Sequence, residues 1–173
     1  MSETPNANCE NDAGGPWPEL PLEAWRDTYA TLHMWAQIVG KVRLALTPLI
    51  NHWWNVPLYV TSRGLATGAM PYGGRDIGMT FDFIEHELVI SSSDGRRTAL
   101  PLVPRSVADF HDEVMRSLAD LGVNVRIWPV PVEVSDPVPF PQDRQHASYD
   151  PAYASRFWQI LIRSGQVFGE FRA

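Results

Sequence analysis

From Trp25 onward, apolar residues return at steps of three and four: Trp25, Thr28, Tyr29, Leu32, Trp35, Ala36, Val39, Val42 and Leu46. That spacing sets them on one face of an α-helix of about seven turns, with Pro21 suited to its first turn and Pro48 ending it. Beyond Pro48 the period changes. Residues 56–61 read as a strand, since Pro57 stands near the start, where proline is tolerated. Gly64, Gly68, Pro71, Gly73 and Gly74 then mark a long loop. Over residues 76–84, Ile77, Met79, Phe81 and Phe83 alternate with Gly78, Thr80 and Asp82, which predicts a strand with one buried face. Strands at 87–92 and 97–102 come next, joined through Asp94-Gly95, a favoured pair for a tight hairpin.

A second helix is predicted after Ser106, which can cap it, with Asp109 three positions on. Phe110, Val114, Leu118 and Leu121 form its apolar stripe and Gly122 stops it. Residues 123–128 read as a further strand, and Pro129 and Pro131 push the chain beyond it to an edge or an extended arm. The proline-rich stretch 135–151 reads as an ordered surface loop. A last helix starts near Pro151, capped by Asp150, and carries Tyr153, Phe157, Trp158, Leu161, Val167, Phe168 and Phe171 to the end. The class is α+β: an antiparallel β-meander packed against a long N-terminal helix, a middle helix and a C-terminal helix. Residues 1–16, small, polar and broken by Gly and Pro, are expected to be a disordered tail ahead of one domain over 17–173.

The two long helices share a motif. Residues 37–43 read QIVGKVR and residues 166–172 read QVFGEFR, a constant offset of 129 that also aligns Leu161 with Leu32 and Trp158 with Tyr29. Such an echo implies a duplicated structural unit. On that reading, residues 151–173 open a second repeat and the chain is half of a duplicated architecture.

Composition narrows the function classes. A net charge of −6 with no basic run longer than Arg96-Arg97 argues against a nucleic-acid partner and against an anionic membrane surface. No stretch approaches the roughly 20 apolar residues of a membrane helix. The single cysteine, Cys9, forms no internal disulfide and fits a reducing compartment, so a cytoplasmic protein is expected. Seven tryptophans in 173 residues are expected mostly in the core, with one or two left to line a pocket.

Taken together, QIVGKVRLALTPLINHWWNVPLYVTSRGL, PYG at 71–73, FDFIEH at 81–86, SDG at 93–95, SVADF at 106–110 and HASYDP at 146–151 resemble an uncharacterised bacterial family, domain of unknown function 5996. The resemblance covers about residues 17–173. It implies longer relatives, of which this chain corresponds to the N-terminal half, and it brings no activity, cofactor or catalytic residue.

Candidate chemistry comes from the residues themselves. His52 beside Trp53 and Trp54 suits an aromatic-walled pocket with one polar handle, or else one of the indoles fills core. Arg63 can hold a ligand carboxylate or phosphate, or pair with Asp82 or Asp76. Tyr72, in the glycine-rich stretch, can close over a ligand, although the glycines lack phosphate-loop spacing. His146 has no local structural role and is a candidate general acid or base. Glu85-His86-Glu87 reads as a solvated turn, and the five histidines show no metal spacing.

Three functions are expected from these residues. The first is a module binding a small anionic or aromatic molecule between the sheet and the first helix, at Trp54, Arg63, Tyr72 and His52. The second is a metal-free acid–base enzyme using His52 or His146 with Asp82. The third is an assembly module that self-associates, or pairs with a missing second half, through its terminal helices. No cofactor is implied.

Overall fold

The computed structural model describes residues 17–172; the expected tail at 1–16, and Cys9 with it, lies outside the described residues. The predicted first helix is α1 (Leu22–Leu46), with Pro21 as its N-cap residue. Most of its stripe is buried, with Trp35, Val39 and Val42 fully inaccessible and Ile38 joining them, but Tyr29 is 46% exposed. Thr47 closes it ahead of Pro48, giving both its N–H and its hydroxyl to the Arg43 carbonyl.

Six antiparallel strands follow: β1 (Tyr59–Val60), β2 (Gly64–Ala66), β3 (Met70–Tyr72), β4 (Arg75–Asp82), β5 (Glu87–Ser92) and β6 (Arg97–Pro101). Their order is β1-β2-β4-β5-β6, with β3 paired to β4 further along the edge that β2 also uses. The glycine-marked segment therefore contains two strands where a loop was expected. Register explains why. Ala66 faces Thr80 and Met70 faces Ile77, so three residues stand opposite two, a β-bulge. At this bulge the buried Thr67 gives its N–H to the Met79 carbonyl and accepts the Met79 N–H on its hydroxyl. Gly68 supplies the left-handed residue, φ 72°.

One sheet face carries Ile77, Met79, Phe81, Leu88, Ile90 and Leu100, all buried beneath α1 and α2 (Val107–Asp120). At the centre, Trp35 stacks on Phe110 at 4.5 Å and on Tyr149 at 5.6 Å. The other face presents Thr80, Val89 and Arg97 to an open surface. Ser106 caps α2 by accepting the Asp109 N–H, and Gly122 follows its end at φ 74°.

Residues 123–128 form no ladder. They begin a long extended strap that runs to Asp150 and is interrupted only by one 3-10 turn, Phe140–Gln142. The polar edge of α1 fastens this strap. Gln37 accepts the Val132 N–H and donates to the Val132 carbonyl, both at 2.8 Å. Thr31 accepts the Ser148 N–H and Thr28 the Asp150 N–H, each at 3.1 Å. Asp150 then caps α3 (Pro151–Arg172) through the Ala152 and Tyr153 amides.

Helix α3 begins on the body of the fold, where Phe157 meets Trp25 and the Trp158 indole donates to the Thr61 carbonyl. Its last two turns are bare. Ile38, Val39 and Val42 of α1 are fully buried, whereas the residues aligned with them, Val167, Phe168 and Phe171, are 52%, 70% and 91% exposed. The shared motif thus has two different environments. Tryptophan also departs from expectation: Trp25 and Trp35 are buried, but Trp17, Trp53, Trp54 and Trp128 are exposed. No described helix is long and apolar enough to cross a membrane.

Candidate functional site

The strap lies over α1 without closing on it everywhere, and the gap on the N-terminal side of the Gln37–Val132 clamp is a recess of about 280 Å³. Helix α1 contributes Tyr29, His33 and Met34; the strap contributes Glu133, Asp143 and His146. His146 Nδ1 stands 2.7 Å from Asp143 Oδ2, and the Asp143 side chain is only 1% exposed. The other oxygen of Asp143 accepts the Gln145 and His146 amides, so backbone and imidazole are fixed by one carboxylate. That is the usual way of orienting a catalytic or ligand-binding imidazole, with Nδ1 engaged and Nε2 left for chemistry.

The second imidazole, His33, stacks on Tyr29 with centroids 6.0 Å apart, and its Nε2 lies 3.1 Å from the Gln37 amide nitrogen. On the rim, Glu133 and Asp136 are exposed carboxylates held at positive φ, 57° and 49°. Left-handed non-glycine residues of this kind concentrate at functional segments. Among the described residues no group of three or more His, Cys, Asp or Glu is placed to hold a metal ion.

The model of DUF5996, a family of unknown function, matches residues 17–173. The chain belongs to that family. No curated protein and no solved structure matches. DUF5996 carries no assigned activity, so function in this member rests on its own side chains.

The residues singled out from sequence lie apart in this DUF5996 chain. His52 and Trp53 occupy an exposed turn at φ 49° and 63°, and Trp54 beside them is 63% exposed, so neither indole fills core. Arg63 is on the open sheet face, its Nε 2.5 Å from Asp82 Oδ2 and its Nη2 3.7 Å from Glu85; of the two readings, the ion pair is the one formed. Burial acts to raise the Asp82 pKa. The Arg63 hydrogen bond, the Glu85 and Ile84 amides and the Arg63 charge outweigh it and hold the carboxyl below its ordinary range. Tyr72 is fastened, its hydroxyl accepting the Asn124 N–H, and it lines a different shallow recess from Arg63.

Asp82 is therefore joined to Arg63, and His146 to Asp143. Nor is His86 solvated: it is half-buried, hydrogen-bonded to the Tyr149 hydroxyl at 2.8 Å, and burial lowers its pKa against the raising effect of Asp82 and Glu85. Of the candidates, only His146 lines the recess. His33, Tyr29 and Asp143 were not legible as site residues. The one available signal was Asp143 standing three positions before His146 in a proline-rich segment.

Proposed function

We propose that the protein binds a small polar molecule in the recess between α1 and the strap, with His146 as its acid–base group. The observation that carries this reading is the 2.7 Å contact between His146 Nδ1 and the buried Asp143 carboxylate at the wall of that recess. An imidazole oriented in this way can take a proton from a bound hydroxyl or ammonium and return it. Tyr29, Met34 and Val138 offer apolar contact to a short hydrocarbon body, while Glu133 and Asp136 bias the rim toward neutral or cationic compounds. The class favoured is thus a small amine or alcohol. No Arg or Lys lines this recess to hold an anion, and Arg63, on the open sheet face, is already engaged by Asp82 and Glu85.

The test is a titration of the histidine ring resonances with benzylamine, phenethyl alcohol and benzoate. Benzylamine or the alcohol should move the His33 and His146 rings saturably, with little change at His52, and His146→Gln should weaken binding. If neither benzylamine nor the alcohol moves either ring, or if benzoate or the His52 ring responds equally, the proposal is wrong.

A second reading, self-assembly through α3, is favoured by its bare last turns. Phe157, Ile160, Ser164, Val167 and Phe171 recur at steps of three and four, and Arg163 and Glu170 flank that stripe. An antiparallel pair of α3 helices from two copies would bring Arg163 of each to Glu170 of the other. In a Cys9→Ser background, cysteines at Ser164 and Val167 should cross-link to each other in mixed samples in preference to like with like. A monomer at all concentrations would exclude this pairing.

A further inference from the structure

On the other side of the Gln37–Val132 clamp lies a second cleft, about 370 Å³ in volume and lined almost entirely by apolar atoms of α1, Val56, Leu58 and Val132. Its size falls at the small end of the range for ligand sites. Two features of α1 at this point are not explained by the packing of the fold.

The first is Gly40. Glycine inside a helix is destabilising relative to alanine, because it loses more backbone freedom on folding. It is tolerated where φ must be positive or where a Cβ would collide, and neither condition applies. Gly40 has ordinary helical φ, and a Cβ there would meet only Val56 Cγ1, at 3.9 Å, an ordinary contact. What a side chain at Gly40 would do is enter the cleft. The second feature is Lys41, the one charged residue of the lining. Among the described residues no carboxylate forms an ion pair with it; its nearest aromatic partner is the Phe140 ring, 5.9 Å from Nζ. Burial alone lowers its pKa, with no neighbouring charge acting on it. Gln37, the other polar residue of the lining, is spent on the clamp.

We infer that this cleft is a binding site for a small amphiphilic carboxylate, its hydrocarbon chain lying over Gly40 against Val56 and Leu58 and its carboxylate meeting the Lys41 ammonium. The apolar wall accounts for the chain, the unpaired cation for the head group, and the glycine for the space between them. The site differs from the His146 recess in lining, charge and ligand class, so either can stand without the other.

Calorimetric titration with octanoate, octanol and octylammonium tests the assignment. Octanoate should bind at least tenfold more tightly than octylammonium. Shortening octanoate to hexanoate should weaken binding by about fourfold for each methylene withdrawn from the apolar wall. Lys41→Gln should abolish the preference for carboxylate over alcohol while leaving octanol binding in place. Gly40→Leu should block all three, and a thermal melt of that variant shows whether it remains folded. If Gly40→Leu is unfolded, Gly40→Ala supplies the same test with a smaller obstruction, and unchanged octanoate affinity there refutes the site. Equal affinity for octanoate and octylammonium would also overturn the assignment. So would self-association at this face that Gly40→Leu abolishes, because the cleft would then be part of an interface between copies.

Discussion

Replacing Thr31 with valine tests how the strap is held. Thr31 is fully buried; its hydroxyl donates to the Asp27 carbonyl at 2.9 Å and accepts the Ser148 N–H at 3.1 Å. Valine keeps the shape and removes the acceptor, leaving a half-buried amide without its partner. An unsatisfied buried donor costs roughly 1–3 kcal/mol. Partial access of water to Ser148, and the small gain from losing a hydroxyl that back-bonds within the helix, pull the figure toward the middle of that range. A loss of about 2 kcal/mol, at roughly 2–4 °C per kcal/mol for a chain of this size, lowers Tm by about 4–8 °C. The residue-specific readout is amide hydrogen exchange: the Ser148 N–H should lose protection and Asp150, anchored to Thr28, should follow in part. Since both threonines hold one strap, Thr28→Val combined with Thr31→Val should cost less than the sum of the two. A Thr31→Val protein within 0.5 kcal/mol of the wild type, with Ser148 still protected, would show that Thr31 does not anchor the strap.

Stability should fall with acid in two stages. His86 has a folded pKa below its ordinary 6.5, so below that pH the unfolded chain takes up a proton that the folded state resists. Asp82 has a folded pKa below its ordinary 3.8, so its contribution is present above that value and is lost as pH falls through the folded pKa. Urea denaturation from pH 8 to pH 3 should show both stages; His86→Asn, which suits the positive φ there, should remove the first alone. Ser106→Ala should cost about 1 kcal/mol by uncapping α2, seen as a lower denaturation midpoint. Gly40→Ala should stabilise the protein by about 0.5–1 kcal/mol in the same assay, since helix propensity improves and no clash is introduced.

The elements legible in the sequence are those set by local rules. The stripe of α1, the alternation along β4, the Asp94-Gly95 hairpin and the Ser106 and Asp150 caps each depend on a few neighbouring residues, and each formed. Two segments differ from expectation because a local pattern has more than one tertiary use. Gly64 and Gly68 resemble loop residues, yet they stand in a bulged strand pair where Gly64 lies so close to Phe81 that a Cβ would overlap its carbonyl. Val123, Val125 and Ile127 alternate like a strand, but their apolar faces pack on the core cluster without a ladder. The recess was illegible for a different reason. His33 and His146 come from opposite ends of the chain and meet only because the strap returns along α1.

The two openings beside α1 share a geometric origin. At about 1.5 Å per residue, the 25 residues of α1 extend roughly 37 Å, while the eight residues of β4 extend about 27 Å. A helix longer than any strand beneath it leaves surface that the sheet cannot bury, and here the strap covers part of that surface. A proline-rich extended segment has no regular row of side chains to interdigitate with a helix, so it touches α1 at fixed points and stands off between them. Thr28, Thr31 and Gln37 are those points. Between and beyond them α1 carries residues that a fully covered helix would not need: an imidazole at His33, a glycine at Gly40 and an unpaired ammonium at Lys41. The inner face of α1 thus holds the core together, and its outer face sets the chemistry of each opening according to which residues fall between the anchors or beyond the last of them.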